Sequence, residues 1–131
     1  MIVDDNEFNI HALTLMLKSY KLKVDCAVNG SQALEKILKR KDCEHCDCQY
    51  ALVLLDINMP VMNGYDTCVE IRNLIKNKKI SPMHVVAVTA DVSDLQKARC
   101  YCLGFDSVVE KPIYKKTLEK ILNNYLDGDF H

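Results

Sequence analysis

The chain has 131 residues, a length that suits one domain with a continuous apolar core. Its 17 Lys and Arg residues nearly balance its 18 Asp and Glu residues, so no broad basic field exists to bind nucleic acid or an anionic membrane surface. The apolar runs are far shorter than the roughly 20 residues of a bilayer span, and no signal-peptide pattern opens the chain. The seven cysteines are an odd number in a domain that needs no disulfides to fold, which favours reduced thiols and a cytoplasmic location.

Strand and helix patterns alternate five times along the chain. Strands are predicted at 1–3, 24–28, 50–55, 85–88 and 108–109. Apolar stripes at helical spacing predict helices at about 10–20, 33–41, 69–76, 93–104 and 118–125. Asp5 and Asn6 are possible caps of the first helix, and Gly104 is a plausible left-handed end of the fourth.

This alternation predicts an α/β fold with one parallel sheet. Parallel neighbours need crossover connections, which place helices on both faces of the sheet. The nearly continuous apolar run from Tyr50 to Leu55 is typical of a central strand covered on both sides. In such folds, functional groups collect at the carboxyl ends of the strands, beside the point where the strand order reverses.

Polar side chains follow four of the predicted strands at that edge. Asp4 and Asp5 end the first strand, Asp56 ends the third, Thr89 ends the fourth and Lys111 ends the fifth. If the first and third strands are neighbours, each carboxylate pair at about 4 Å repels by roughly 4 kcal/mol at an effective dielectric constant of 20. A divalent cation with oxygen ligands offsets this repulsion, and Mg²⁺ prefers such ligands. The sequence therefore predicts a Mg²⁺ site.

This set of groups suits phosphoryl transfer onto a carboxylate. The ion, the Lys111 ammonium and the Thr89 hydroxyl can neutralise the oxygens of a phosphoryl group that moves in line onto Asp56. The added charge can then draw the hydroxyl and the ammonium toward it and move their loops. Phosphorylation thereby becomes a conformational signal.

Four ordered motifs resemble the response-regulator receiver family over essentially the whole chain. They are Val3-Asp4-Asp5-Asn6, Leu55-Asp56-Ile57-Asn58-Met59-Pro60-Val61-Met62-Asn63-Gly64, Thr89-Ala90 and Lys111-Pro112. The resemblance implies a flavodoxin-like (βα)5 sheet of order 2-1-3-4-5, in a single receiver domain over residues 1–131. It also implies that Asp4, Asp5, Asp56 and the main-chain carbonyl of Asn58 hold Mg²⁺. Asp56 then accepts phosphate, Thr89 is the switch hydroxyl, Lys111 binds phosphate, and the Lys111-Pro112 bond is cis.

The run Asp-Asp-Asn followed by Asn9, together with Met-Pro-Val-Met-Asn-Gly, is similar to receivers fused to hybrid sensor histidine kinases. This similarity implies a phosphorelay partner, either a histidine kinase or a histidine phosphotransfer protein. Only Met1, Ile2 and Val3 precede the acidic pair, so we expect a domain excised from a longer chain, in the cytoplasm or in the cytoplasmic part of a membrane sensor kinase. Such a domain assists its own phosphorylation and dephosphorylation but is not a turnover enzyme by itself.

Two positions bear on how the signal leaves the domain. Val108 stands where the family usually has Tyr or Phe, three residues before the lysine. We therefore expect movement of the loop after Thr89, rather than rotation of an aromatic ring, to carry the signal. Asp91 could influence a water that attacks the phosphoaspartate, but a solvated loop acid is the simpler interpretation.

The remaining candidates have structural explanations that we favour. Cys43, Cys46 and Cys48 with His45 provide enough ligands for zinc, but their tight clustering favours reduced loop thiols. Cys100 and Cys102 point to different faces of the fourth helix and are interpreted as packing residues. His11 is interpreted as a surface residue, and His84 has no partner that the sequence identifies.

Three rival functions can be weighed on the same residues. A phosphatase of the haloacid-dehalogenase type needs a second acid two residues after its nucleophile, where this chain has Asn58. A nucleotide or flavin module needs a Gly-rich or Ser/Thr-rich phosphate loop after the first strand, where acidic residues lie instead. A receiver-like interaction module that is never phosphorylated remains the alternative.

Overall fold

A computed structural model describes residues 1–40 and 49–130 of the chain. The strands are β1 (Ile2–Val3), β2 (Cys26–Ala27), β3 (Leu52–Asp56), β4 (His84–Thr89) and β5 (Ser107–Glu110). The helices are α1 (Glu7–Ser19), α2 (Gly30–Arg40), α3 (Gly64–Lys76), α4 (Asp94–Leu103) and α5 (Lys115–Tyr125). All strand pairs are parallel, and the order in the sheet is β2-β1-β3-β4-β5. The predicted α/β class and strand order are confirmed.

Two apolar layers cover the two faces of the sheet. On one face Ile37, Ile71 and Cys100 bring α2, α3 and α4 against alternate strand residues. On the other face α1 and α5 pack against the intervening strand residues, through Leu17 and Leu122 among others. Because β3 contributes to both layers, all five of its residues are buried. The strand that ends at the third predicted acid is therefore the central one.

The edge strand β2 is shorter than predicted. A strand was expected over residues 24–28, but only Cys26–Ala27 pair with β1. β1 has only two residues, so β2 can form ladder hydrogen bonds along only two residues. The pairing nevertheless places Ala27 beside Val3, at the point where the acidic pair begins.

Capping residues mark the starts of α1 and α4 and the end of α4. The Asn6 side chain accepts from the N–H groups of Phe8 and Asn9 at the start of α1. The Ser93 side chain caps α4, and Gly104 ends it with φ of 106°, a left-handed conformation that favours glycine. The Lys111-Pro112 bond is cis, as the resemblance implied.

The two cysteines of α4 differ in their exposure to solvent. Cys100 is buried in the core, as predicted, but Cys102 is exposed, so its interpretation as a packing residue is wrong. The two residues lie on different faces of the helix, and the sheet covers only one of those faces.

The histidines also have identifiable surroundings. His11 is exposed, as predicted. The Nδ1 atom of His84 lies 3.5 Å from the Asp106 carboxylate, and its ring lies 4.8 Å from the Tyr125 ring. These partners are distant in sequence, which is why no local pattern identified them. Among the described residues, no helix combines the length and apolar character of a bilayer span.

Candidate functional site

The ends of two adjacent strands bring three carboxylates together. Val3 pairs with Leu55, so the residue that follows each of these two, Asp4 or Asp56, lies at the same level at the carboxyl edge. Oxygen atoms of Asp4, Asp5 and Asp56 all lie within 4.8 Å of one another. Asp4 and Asp56 are buried, at 4% and 2% exposure, whereas Asp5 is exposed. The predicted acidic cluster is therefore present, with one member open to solvent.

The turn into α1 holds the Asp4 carboxylate in place. Its Oδ1 atom accepts from the Asn6 N–H at 2.9 Å, and its Oδ2 atom accepts from the Asn9 side-chain amide at 3.2 Å. Both oxygens of this buried carboxylate therefore have a hydrogen-bond donor. Asn9 was noted in the sequence for its family resemblance, but its hydrogen bond to Asp4 was not foreseen.

Lys111 supplies the cation of the site. Its ammonium lies 2.9 Å from Asp56 Oδ1 and 3.7 Å from Asp4 Oδ2. The Lys111 N–H donates to the Thr89 carbonyl at 2.9 Å, which fixes the backbone at the end of β5 beside β4. One ammonium thus bridges both buried carboxylates, and it offsets part of their mutual repulsion.

The pKa of the Asp56 carboxyl is raised above its ordinary value. Burial is the largest cause, and the Asp4 charge adds to it. The hydrogen bond and charge of Lys111 oppose the shift, as does the Asn58 N–H, which donates to Asp56 Oδ1 at 3.2 Å. The site therefore holds its central carboxylate in an unfavourable environment that an added cation can relieve.

Thr89 is placed at the same edge by β4. It is 1% exposed and directly follows Val88, which pairs with Asp56. Its Oγ1 atom accepts from the Asp91 N–H at 3.2 Å. The Asp91 carboxylate accepts from the Ser93 N–H at 3.0 Å, and hydrogen bonds from Ser93 lower the pKa of Asp91. Asp91 is thus a loop acid at the start of α4, which fits the simpler of its two interpretations.

Gly64 brings the start of α3 against the backbone of the central acid. A Cβ atom at this position would lie 2.4 Å from the Asp56 carbonyl oxygen and 2.7 Å from the Ile57 Cα. The Gly64 N–H also donates to the Ile57 carbonyl at 2.9 Å. Gly64 closes one of the family motifs found in the sequence, but the need for glycine arises from this tertiary approach and was not predicted.

Two other predictions are not tested by this geometry. The possible zinc ligands Cys43, His45, Cys46 and Cys48 lie outside the described residues. Asn58 lies two residues beyond Asp56 with its N–H directed at that carboxylate. The role of its carbonyl as a metal ligand stays a prediction.

The fold and the site together define a class of protein. A doubly wound five-stranded parallel sheet carries three carboxylates and a lysine at its carboxyl edge, which is the arrangement of flavodoxin-like signalling domains. The chain belongs to the response regulator receiver domain family, which it matches over residues 1–123. It is therefore a receiver domain of two-component signalling.

Curated relatives are histidine kinases, and several of them are hybrid kinases. The chain is 31% identical over 125 residues to hybrid signal transduction histidine kinase L of Dictyostelium discoideum, covering 95% of this chain and 7% of the kinase. It is 30% identical over 127 residues to the peroxide stress-activated histidine kinase of Schizosaccharomyces pombe, covering 97% of this chain and 7% of that kinase. The chain therefore spans a small fraction of the length of these relatives.

Solved structures share the fold over nearly the whole chain. The receiver domain of the response regulator Ssk1 from Saccharomyces cerevisiae, in complex with the histidine phosphotransfer protein Ypd1, is 26% identical. The match has a TM-score of 0.82 and covers 98% of this chain and 92% of that chain. A receiver domain of a sensor histidine kinase from Pseudomonas aeruginosa, with magnesium in its active site cleft, gives a TM-score of 0.77 at 24% identity, covering 97% and 95%.

Proposed function

We propose that this receiver domain takes a phosphoryl group from a phosphohistidine onto Asp56 and changes conformation as a result. The observation that carries the proposal is the contact of the Lys111 ammonium with Asp56 at 2.9 Å, inside a cluster of three carboxylates. A structural ion pair needs one acid and one base. This cluster has two more carboxylates than ammonium groups, two of its three acids are buried, and such an excess of like charge is typical of functional sites.

The chemistry follows from the groups at the edge. A bond forms between an Asp56 carboxylate oxygen and phosphorus while the phosphorus–nitrogen bond of the donor breaks, and the leaving imidazole nitrogen keeps the electron pair. Lys111 is placed to pair with phosphoryl oxygens as their charge moves toward Asp56. The Thr89 hydroxyl accepts from the Asp91 N–H through an oxygen lone pair, and this bond does not use the hydroxyl hydrogen, which can be donated to a phosphoryl oxygen. Asp56, Lys111 and Thr89 are thus the proposed reactive set.

The acidic cluster suits Mg²⁺ in the donor atoms that it offers. Asp4, Asp5 and Asp56 supply carboxylate oxygens within 4.8 Å of one another, and the Asn58 carbonyl is the proposed fourth ligand. When bound there, Mg²⁺ would offset part of the negative charge of the carboxylates and of an incoming phosphoryl group. Asp5 is exposed, which leaves one side of the cluster open to water and to an incoming phosphate.

Adding Mg²⁺ is expected to raise the melting temperature of the protein. At ten times the dissociation constant, binding to the folded state alone contributes about 1.4 kcal/mol, which corresponds to about 5 °C for a domain of this size. Thermal melts with a titration of MgCl₂ against NaCl of equal ionic strength measure the shift. Asp5→Asn should lose most of it and Asp127→Asn, a change at an exposed remote acid, should keep it. A melting temperature that does not move at millimolar Mg²⁺ contradicts the proposed metal site.

The partner that fits this surface is a histidine phosphotransfer protein or the kinase of the same relay. Four strongly exposed apolar side chains lie on the segments that follow β1, β3, β4 and β5 at the carboxyl edge of the sheet. They are Phe8, Val61, Leu95 and Tyr114, at 86%, 85%, 83% and 68% exposure. A cleft of about 270 Å³ also opens beside Asp4 and Lys111, along α1. An apolar rim around a charged centre suits a protein that docks to deliver a phosphohistidine.

The relatives favour a hybrid histidine kinase as the parent of this domain. Several curated matches are hybrid kinases, and one solved neighbour is a receiver bound to a phosphotransfer protein. We therefore propose a role in a phosphorelay on the cytoplasmic side of the membrane, with residues 1–131 forming one receiver domain. The domain assists its own phosphorylation without being a turnover enzyme.

Incubation with acetyl phosphate and Mg²⁺ tests the function directly. We expect the intact mass to increase by one phosphoryl group, and hydroxylamine to remove it, because acyl phosphates react with this nucleophile. Chelation of Mg²⁺ by EDTA before the donor is added should prevent the gain. A protein that takes no phosphoryl group from acetyl phosphate or from a phosphorylated phosphotransfer domain is instead the receiver-like interaction module.

A further inference from the structure

We propose that phosphorylation of this domain releases α4 by breaking a hydrogen bond between Tyr65 and Gln96, and that these two residues position α4 in the resting state. The inference rests on the proposed function, because Asp56 must be phosphorylated for the release to occur. The release of α4 would carry the signal from Asp56 to the protein surface. This chain needs such a route because it has Val108 on β5, where the family usually has an aromatic ring.

A series of hydrogen bonds runs from the site to α4. The Asp91 N–H donates to Thr89 Oγ1 at 3.2 Å, and the Ser93 N–H donates to the Asp91 carboxylate at 3.0 Å. The Gln96 N–H donates to Ser93 Oγ at 3.3 Å, within the first turn of α4. Each bond joins neighbours a few residues apart, so a displacement of the Thr89 hydroxyl shifts the capped end of the helix. Gln96 is therefore tied to the side chain that is proposed to move.

Tyr65, the donor in the Tyr65–Gln96 hydrogen bond, is attached to a different part of the site. The Tyr65 hydroxyl donates to Gln96 Oε1 at 2.7 Å. Tyr65 follows Gly64, which is held by its N–H bond to the Ile57 carbonyl and by its close approach to the Asp56 carbonyl. Tyr65 is thus fixed to the backbone of β3, which the proposed reaction leaves in place.

These two attachments make the Tyr65–Gln96 bond sensitive to relative movement. When Thr89 is drawn to the phosphoryl group, we expect the 90–93 turn to follow and to change the position of Gln96 relative to Tyr65, which stays with β3. A hydroxyl–amide bond at 2.7 Å tolerates only a few tenths of an ångström before it weakens. A small shift at the site is therefore sufficient to break it.

The packing of α4 explains why one bond matters. All ten residues of α4 are described, and of these only Cys100 is buried. The Arg99 guanidinium lies 3.9 Å from the centre of the Tyr65 ring, so Tyr65 makes both a hydrogen bond and a cation–π contact with this helix. A helix with one buried side chain depends on such peripheral contacts, and elements of low local stability are the ones that move.

The test compares hydrogen exchange of the α4 amides in the wild type, Tyr65→Phe and Tyr101→Phe, with and without acetyl phosphate and Mg²⁺. Tyr65→Phe keeps the ring beneath Arg99 but removes the hydroxyl. Tyr101→Phe removes a hydroxyl from an exposed position of the same helix and is the matched control. Phosphoryl occupancy is read separately from the intact mass of each sample.

We expect phosphorylation of the wild type to speed exchange over residues 94–103. Without phosphorylation, the α4 amides of Tyr65→Phe should already exchange roughly fivefold faster than those of the wild type, because one net hydrogen bond is lost. Phosphorylation should then increase their exchange rate less than it does in the wild type. Tyr101→Phe should match the wild type. If both proteins are fully phosphorylated but their α4 amides exchange at the same rates with and without phosphorylation, the inference about α4 is wrong and the proposed function stands. An absent mass gain in the wild type overturns the proposed function and the release with it.

Discussion

Asp56→Asn is expected to abolish phosphoryl uptake and, in Mg²⁺-free buffer, to stabilise the protein. An amide cannot form the acyl phosphate, so the hydroxylamine-labile mass gain should disappear completely. The same change removes a charge from a cluster whose members lie within 4.8 Å, where each pair repels by roughly 3.5 kcal/mol at an effective dielectric constant of 20. The lost contact with Lys111 offsets much of this gain.

The net stabilisation by Asp56→Asn should be about 1 kcal/mol, or an increase of about 3–5 °C in melting temperature. Asp127→Asn is the control, because it removes an exposed acid far from the cluster. It should leave both the mass gain and the melting temperature unchanged. A variant that still gains a labile phosphoryl group places the acceptor elsewhere. A variant that melts below the wild type shows that the Lys111 contact outweighs the repulsion.

The stabilisation by Asp56→Asn should depend on pH in a defined direction. The pKa of Asp56 is raised in the folded state, first by burial and then by Asp4. A carboxyl with a raised folded pKa binds more protons when folded than when unfolded, so the wild type loses stability as pH rises from the ordinary carboxyl value of about 3.9 through the raised value. The difference in melting temperature between variant and wild type should therefore grow over this window and be small below it. Melts of both proteins across the acidic range measure it.

The location of the site was predictable because each strand ends at a chemically distinct residue. The apolar run that precedes Asp56 indicates a buried central strand, and the alternation of strands with helices requires a parallel sheet. Those two facts place Asp4, Asp56 and Lys111 at one edge. The order 2-1-3-4-5, which makes the first and third strands neighbours, came from the family resemblance, because several orders satisfy the same local patterns.

The contacts within the site were less predictable, because they join residues far apart in the chain. Local patterns place Lys111 after a strand, but its position between two carboxylates depends on how β5 lies beside β4. Tyr65 and Gln96 lie 31 residues apart, and their hydrogen bond exists because α3 and α4 are neighbours on one face. The exposure of Cys102 has the same origin. Spacing places it on another face than Cys100, but only the packed structure shows which face is covered.

Lys111→Ala is expected to slow phosphorylation by acetyl phosphate roughly 100- to 1,000-fold at saturating Mg²⁺. This is the usual effect of removing one positioned donor from a site where charge develops, and the donor here is an ammonium in contact with the acceptor carboxylate. Lys111→Arg should recover part of the rate, because it keeps a cation, although the guanidinium has a different shape and reach. Initial rates of the labile mass gain, measured at equal Mg²⁺, compare the variants.

Lys115→Ala provides the matched control for Lys111→Ala, because it removes an exposed lysine from the first turn of α5 and should keep the wild-type rate. The alanine variant at position 111 should also melt below the wild type without Mg²⁺, since Asp4 and Asp56 then face each other without a bridging cation. Added Mg²⁺ should restore much of this stability but little of the rate, because the cation can neutralise the acids without replacing the ammonium beside the phosphoryl oxygens. Equal recovery of rate and stability would mean that Lys111 serves only to offset the acidic cluster.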